Sequence, residues 1–220
     1  MVESIIYIEE LKKRYKGSRD EALKGVNLEI KSGEFFGLLG PNAAGKSTLI
    51  SILCGILSPS SGKAELFGEK LNSNREKRKS RIGLIPQEIA LYPTLTVEEN
   101  ILFFGSLHGI PGKVLREKAG SYIRLFNLEE HRDKPVSKCS GGIKRRVNLI
   151  AGVIHQPELI LLDEPTLGVD PQLRSMIFDF LTELNNEGAT LIYTTHLIAT
   201  RSSEQLGNPE IIVSPCLSYS

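Results

Sequence analysis

The chain has 220 residues, with 27 lysines and arginines against 26 aspartates and glutamates. This balance disfavours a protein that coats nucleic acid, and an apolar fraction of 40% excludes disorder as the dominant state. Three widely spaced cysteines and the absence of any apolar run of roughly 18 residues predict a cytoplasmic protein that meets a membrane only from outside.

The first third of the chain contains strand patterns and one clear helix. Short apolar runs between glycine- and serine-bearing turns predict strands at 5–8, 26–30 and 64–67. Residues 34–39 predict a buried strand that runs into a glycine-rich turn. Apolar residues at helical spacing then predict a helix over 46–57.

The remaining chain alternates between helices and strands. A basic run at 75–81 is interpreted as a solvated loop before a strand at 82–85, and the alternative is a contact with phospholipid head groups or an acidic partner loop. Glycines and prolines in 88–135 indicate a small inserted helical region. The later elements are a helix at 143–154, a strand at 159–162, a helix at 173–184 and a strand at 190–194. This order predicts an α/β fold whose mostly parallel sheet is covered on both faces.

A phosphate-binding pattern follows the strand at 34–39. The pattern G-x-x-x-x-G-K-[ST] is matched in full and opens the first helix. Backbone N–H groups at such a turn bind phosphate oxygens, the lysine adds positive charge and the serine hydroxyl is a Mg²⁺ ligand. The predicted nucleotide-binding residues here are Gly40, Pro41, Asn42, Ala43, Ala44, Gly45, Lys46, Ser47 and Thr48.

A pair of carboxylates ends the strand at 159–162. Asp163 is predicted to reach Mg²⁺, and Glu164 to act as the general base that polarises the attacking water. Alone, a strand that ends in Asp-Glu is a common transition into a loop. The phosphate loop upstream makes the catalytic interpretation much the stronger one.

A third element lies just before this pair. The segment 139–146 reads Cys-Ser-Gly-Gly-Ile-Lys-Arg-Arg and opens an amphipathic helix. It resembles the signature of ATP-binding cassette (ABC) ATPases, and the resemblance extends over about residues 4–196. That likeness implies that Ser140, Gly141 and Gly142 act on ATP bound by a second cassette.

The resemblance assigns four further residues. It implies that Gln87 is a Mg²⁺ ligand and sensor of the transporter partner, that His196 contacts the γ-phosphate, and that Tyr15 stacks on adenine. Asp170 matches the loop that follows the carboxylate pair, although an N-cap with Pro171 at the first helical position explains it equally well. A lone glutamine, histidine or tyrosine otherwise has an ordinary structural explanation.

Two features depart from the family pattern. Ala43 stands where these cassettes usually carry glycine, so we expect weakened rather than lost phosphate binding. The segment 197–220 lacks the expected acidic and basic residues, although 210–213 could form a strand. The alternatives for this tail are a truncated or scrambled end and plain divergence.

The resemblance implies one ABC ATPase domain over 1–220. Its phosphate-loop core and small antiparallel β-layer are expected at 1–87 and 156–220, and its helical subdomain at 88–155. It also implies ATP and Mg²⁺ as cofactors, a head-to-tail dimer with an identical or second ATP-binding subunit, and an integral-membrane permease partner, with no nucleic acid.

The expected location is therefore the cytoplasmic face of a membrane. Residues 91–100 and 103–112 look most like cassettes of drug or polymer exporters. Two alternatives remain: a non-transport ABC ATPase that acts on DNA or ribosomes, and a catalytically impaired module that only senses ATP.

Overall fold

The computed structural model describes residues 3–71, 73–195, 204–205 and 212–215. Four strands form an antiparallel sheet whose buried face is supplied by alternate residues such as Ile6 and Ile8, with the more exposed Tyr7 and Glu9 between and beyond them. In spatial order they are β2 (Glu21–Lys31), β1 (Ser4–Arg14), β4 (Ser61–Leu66) and β5 (Glu69–Lys70).

A second sheet has six strands, among them the strand that leads into the phosphate-binding pattern and the strand that ends at Asp163. Its order is β6 (Ile82–Ile85), β7 (Leu159–Asp163), β8 (Thr190–Thr195), β3 (Phe35–Leu39), β10 (Ile212–Pro215) and β9 (Glu204–Gln205). The first four strands are parallel, so their carboxyl ends meet at one edge, while β10 runs antiparallel to β3. All five residues of β7 are buried, as expected for a strand covered on both faces.

Helices connect the strands of this sheet. The helix α1 (Lys46–Leu53) follows β3, the five-residue α2 (Arg75–Lys79) precedes β6, and α6 (Pro171–Asn186) links β7 to β8. Between β6 and β7 lie α3 (Val97–Leu107), α4 (Gly112–Leu125) and α5 (Gly141–Val153). Single 3₁₀ turns at Glu129–His131 and Val136–Lys138 join α4 to α5.

The six-stranded sheet separates two apolar cores. One packs α1 and the antiparallel sheet against Leu159 and Leu161 of β7. The other packs α3 to α6 against Ile160 and Leu162 of the same strand. Alternate side chains of one strand therefore contribute to different cores.

The predicted elements are present in the predicted order, but α1 is shorter than predicted. It ends at Leu53 rather than Leu57, because the amides of Ile56 and Leu57 both return to the carbonyl of Ser51 and Gly55 adopts a left-handed φ of 73°. Ile56 is consequently 66% exposed instead of lying on the buried face.

The interpretation of the basic run as a solvated loop is wrong. The run contains α2, and Arg78 within it is buried. Its guanidinium donates hydrogen bonds to the carbonyls of Lys70, Leu71 and Ser73. Three carbonyl acceptors compensate the cost of burying the charge, so this arginine fixes the turn after β5.

The predicted strand over 210–213 is described only from residue 212, where β10 begins. His196 and most of the tail lie outside the described residues. None of the helices in the described ranges has the length and apolar character that crossing a bilayer demands.

Candidate nucleotide site

The phosphate loop runs from β3 into α1 through a turn that only glycine can make at its end. Gly45 has φ 97°, and a Cβ built on it would lie 2.4 Å from the carbonyl oxygen of Ala22. Any larger residue would therefore clash with β2 and strain the backbone. The turn directs the first amides of α1 to one point, which is the arrangement that binds anions at helix N-termini.

Ala43 lies in the same loop with φ 67°. This is the left-handed region that L-residues with a Cβ adopt at a cost. The sequence predicted that alanine is unfavourable at this position, and the backbone here does have a conformation that favours glycine. The side chain itself is exposed at the cavity described below.

Lys46 is held at the start of α1 by backbone acceptors. Its Nζ donates hydrogen bonds to the carbonyls of Gly40 at 2.7 Å and Pro41 at 2.9 Å, and lies 3.8 Å from Oε1 of Glu164. Burial lowers the pKa of this ammonium, and the carboxylates of Glu164 and Asp163 partly offset that effect. The lysine is thus a buried cation whose donors are directed toward the loop.

Asp163 and Glu164 lie at the carboxyl end of β7, and each is 9% exposed. The hydroxyl of Thr194, opposite on β8, donates to Oδ1 of Asp163 at 2.7 Å and accepts from the backbone N–H of Glu164 at 2.9 Å. Glu164 has φ 46°, which turns the chain sharply out of the strand. Sequence reasoning missed Thr194, although a threonine near the end of a buried strand, two residues before His196, was a usable signal.

A cavity of about 580 Å³ brings the predicted residues together, a volume typical of small-molecule sites. The tyrosine hydroxyl of Tyr15 lies 3.1 Å from Oγ1 of Thr48 at its margin. The lining residues are Tyr15, Ala22, Asn42, Ala43, Ala44, Gly45, Lys46, Ser47, Thr48, Gln87, Glu164 and Leu167. Ala22 and Leu167 were not predicted, because only the folded chain places them beside the loop.

The loop that carries Gln87 is attached to α5. Arg145 donates to the carbonyl of Gln87 at 2.9 Å, and the amide oxygen of Asn148 accepts from the N–H of Ala90 at 3.1 Å. The helix capped by Ser140 therefore fixes the backbone on both sides of Glu88.

The signature residues and Asp170 lie elsewhere. Ser140 caps α5 by accepting from the N–H of Ile143 at 3.4 Å, and space is open around the Cα of Gly141. Asp170 caps α6 with Pro171 at the first helical position, which confirms the N-cap interpretation. None of Ser140, Gly141, Gly142 and Asp170 is among the described residues that line the cavity.

The site combines a phosphate loop between strand and helix with a buried lysine that faces a carboxylate at the end of β7, another parallel strand of the same sheet. Together with the cavity that the loop lines, these features define an α/β nucleotide-binding domain of the P-loop class. The family model described as ABC transporter matches residues 23–167. The chain belongs to the ABC transporter family, and its described part is that family's ATP-binding cassette.

Curated relatives agree with this assignment. The linearmycin resistance ATP-binding protein LnrL of Bacillus subtilis is 42% identical over 87% of this chain and 61% of its own length. The Nod factor export ATP-binding protein I of Ralstonia nicotianae is 36% identical over 88% of this chain and 60% of its own. The chain thus spans about three fifths of the length of these relatives.

Solved structures are similar over the whole cassette. A dimeric post-hydrolysis state of the ATP-binding cassette MJ0796, bound to ADP and Pi, superposes with a TM-score of 0.80 at 29% identity, covering 87% of this chain and 88% of that one. The cbiO1 protein of Clostridium perfringens, part of the ABC transporter complex cbiONQ, gives 0.76 at 34% identity, covering 88% and 79%.

Proposed function

We propose that this chain binds ATP with Mg²⁺, hydrolyses it, and thereby drives a membrane permease that exports its substrate. The observation that carries the proposal is the meeting of Lys46 and Glu164, 3.8 Å apart, over a cavity lined by the phosphate loop. A buried lysine supplies charge to the phosphates, and the carboxylate beside it is placed to act on a water molecule.

The phosphates of ATP would bind to Lys46 and to backbone N–H groups of the loop 42–48, with the adenine stacked on the exposed ring of Tyr15 at the cavity margin. Glu164 then accepts a proton from the attacking water. His196, outside the described residues, is proposed to contact the γ-phosphate at the end of β8.

The side chains of Ser47, Gln87 and Asp163 fit Mg²⁺, because all three offer the oxygen donors that this ion prefers and the first two line the same cavity. When bound, the ion neutralises charge that develops on the phosphates. The protein's own contribution is to hold these oxygens at the ends of α1, β6 and β7.

We further propose that two cassettes pair head to tail. The exposed start of α5, with Ser140, Gly141 and Gly142, offers the backbone N–H groups of a helix N-terminus and is not part of the described cavity lining of its own chain. It would complete the site of a partner, an identical chain or a second ATP-binding subunit, with Asp170 beside the contact. The dimeric structures of MJ0796 support the pairing of two cassettes.

The permease would dock beside Gln87. Tyr92 and Phe103 pack edge to face at 4.7 Å, Phe104 lies beside both, and Tyr92 and Ile89 are exposed. Such an aromatic patch is typical of a protein interface. The printed names of the relatives support export as the direction, and membrane attachment at the cytoplasmic face follows from this partner.

In this proposal the helical subdomain, residues 88–155, carries both the docking patch and the signature. The phosphate-loop core and the β-layer, residues 1–87 and 156–220, hold the nucleotide. The two parts would move relative to each other as the dimer closes. No role for nucleic acid is proposed.

The experiment that tests the function replaces the proposed base. Glu164→Gln keeps the shape of the side chain but cannot accept a proton, so we expect ATP turnover to fall about 10²- to 10⁴-fold while ATP binding persists. Size-exclusion chromatography with Mg-ATP should then show a trapped dimer. Turnover is measured as phosphate release.

The matched control is Glu130→Gln, the same chemical change at an exposed residue remote from the cavity. It should retain wild-type turnover. Full activity of Glu164→Gln would refute the assigned role. A wild-type chain that binds ATP without hydrolysing it would instead identify an ATP-sensing module.

A further inference from the structure

Thr194 is fully buried and joins the two carboxylate-bearing residues of the site. Its side chain is 0% exposed. It pairs in register with Asp163 across the parallel strands β7 and β8. One hydroxyl oxygen therefore contacts the side chain of Asp163 and the backbone of Glu164 at the same time.

The directions of the two hydrogen bonds are determined by chemistry. The backbone N–H of Glu164 can only donate, so Thr194 Oγ1 accepts from it. The single hydroxyl proton is then available to Oδ1 of Asp163, which can only accept as a carboxylate. Neither bond can reverse, so each fixes the other.

We propose that Thr194 is a positioning residue for ATP hydrolysis, which orients the carboxylate of Asp163 toward the metal and holds the backbone from which Glu164 acts. This inference rests on the proposed function. Because Thr194 occupies Oδ1, the other oxygen of Asp163 is left for a cation or a cation-bound water. A residue that hydrogen-bonds to a metal-binding side chain commonly changes the affinity of the site for the metal.

The second effect concerns Glu164. Its φ of 46° lies in the left-handed region, where a residue with a side chain is held only by its surroundings. The bond from its N–H to Thr194 anchors that turn at the end of β7, while its carboxylate lies 3.8 Å from Lys46. Removing the hydroxyl frees the turn to relax and moves the carboxylate.

The same strand supplies a matched control. Thr190 is also 0% exposed, and its Oγ1 accepts from the N–H of Gly33 at 2.9 Å, at the other end of β8. Thr190→Val removes one buried hydroxyl and leaves one backbone N–H without that acceptor, as Thr194→Val does. A purely structural role of Thr194 predicts equal behaviour of the two variants.

The test compares Thr194→Val, Thr194→Ser and Thr190→Val in the full chain. In Thr194→Val we expect kcat to fall and the Mg²⁺ concentration that half-saturates binding of a fluorescent ATP analogue to rise, each about 10- to 100-fold. The KM for ATP should change little. The amide of Glu164 should exchange its hydrogen faster in the nucleotide-free protein, and Thr194→Ser should restore all these values.

Thr190→Val should lower the unfolding temperature similarly but leave the Mg²⁺ dependence and the Glu164 amide as in wild type. If Thr194→Val and Thr190→Val have the same Mg²⁺ dependence and the same exchange rate at the Glu164 amide, the proposal is overturned. Should Thr194→Val not fold, Thr194→Cys, which keeps the volume and weakens both hydrogen bonds, must give the same shifts. Amide exchange requires no ATPase activity, so a wild-type chain without turnover would refute the proposed function and leave this test intact.

Discussion

Two residues of the site have side chains where the backbone favours glycine. Ala43 has φ 67° and Glu164 has φ 46°. Each such position costs roughly 1–2 kcal/mol relative to right-handed backbone. The contacts of the phosphate loop and of Thr194 compensate for this cost, and both residues line the same cavity.

At Ala43 the cost can be removed. Ala43→Gly should raise the free energy of unfolding by about 0.5–1 kcal/mol, because relief of the left-handed backbone exceeds the entropy that glycine gains in the unfolded chain. The affinity for Mg-ATP should rise as well, since the amides of the loop reach the phosphates with less strain. Urea unfolding and equilibrium binding of a fluorescent ATP analogue measure the two effects.

The neighbouring alanine provides the control. Ala44 is buried and is not among the residues with positive φ, so Ala44→Gly should lower stability by about 0.5–1 kcal/mol. Equal losses in both variants would contradict the strain at Ala43.

The sequence alone predicts those residues of the site that belong to short motifs along the chain. The glycines of the phosphate loop, Lys46 and the pair Asp163–Glu164 all follow from motifs within a few residues, as does the cap at Asp170 outside the cavity. Ala22 and Thr194 did not follow, because they reach the site through β-pairing and packing between distant segments. The backbone strain at Glu164 also had no sequence signal.

At the scale of elements, two histidines join α3 and α5 to the sheet. The rings of His108 and His155 stack at 3.5 Å with an angle of 4° between their planes. His155 Nε2 lies 3.1 Å from the carbonyl of Ile82 at the start of β6, whereas its buried Nδ1 has no hydrogen-bond partner among the described residues. Protonation would therefore bury an N–H without an acceptor.

This contact predicts acid sensitivity. Burial, helped by His108 at the end of α3 and Lys118 of α4, lowers the pKa of His155 from 6.5 to about 4. Between these values the unfolded chain binds a proton that the folded protein does not. The resulting stability is complete above pH 6.5 and is lost as the pH falls toward 4. After allowance for partial exposure, the loss from pH 7 to pH 5 is about 1–2 kcal/mol.

His155→Gln removes this titration, so its stability should vary less between pH 7 and pH 5 than that of wild type. Thermal unfolding across this range measures the slope. His131→Gln, in a 3₁₀ turn away from the stack, should keep the wild-type slope. A steeper or unchanged slope in His155→Gln would contradict the assignment.

Element boundaries were predicted less well than element order. Periodicity extended α1 to Leu57, but the turn at Gly55 ends it four residues earlier. Charge alone indicated a solvated loop at 75–81, whereas three carbonyls accept from the buried Arg78. In both cases backbone hydrogen bonding outweighs the pattern of side-chain polarity.

At the scale of the whole molecule, the cavity of one chain lacks the signature. The described lining residues come from the phosphate loop and its neighbours, while Ser140 caps a helix outside that set. In the proposed head-to-tail pair, one chain's phosphate loop would meet the other chain's signature, so each site would depend on both chains.

This dependence predicts complementation between two inactive variants. Ser140→Asp retains a good N-cap but places a carboxylate against the partner's phosphates, and Lys46→Met removes the ammonium from its own site. Each alone should be inactive. An equal mixture should recover up to about a quarter of wild-type turnover, because half the dimers are mixed and one of their two sites is intact.

Ser137→Asp, the same change at an exposed residue in the preceding turn, should remain active. No recovery in the mixture, together with activity of Ser140→Asp alone, would place the signature outside the reaction. Phosphate release from mixed and unmixed samples at equal total protein gives the comparison.

The overall architecture was predictable because strands alternate with helices and each strand pattern is short and apolar. The pairing of β10 with β3 was not, since nothing local to 212–215 specifies its neighbour. The in-trans role of the signature rests on a second chain and therefore stays a proposal.

The strand β7 lies between the two apolar cores and contributes side chains to both. Shortening Leu161 would loosen the side that holds α1 and its loop, whereas shortening Leu162 would loosen the side of the three inserted helices. A shift of β7 by one residue in its register would move the side chains of each core to the opposite face of the sheet. Both apolar cores therefore pack against the same five-residue strand, and Asp163 and Glu164 lie at its carboxyl end. A change of packing in either core is expected to shift the position of these two carboxylates.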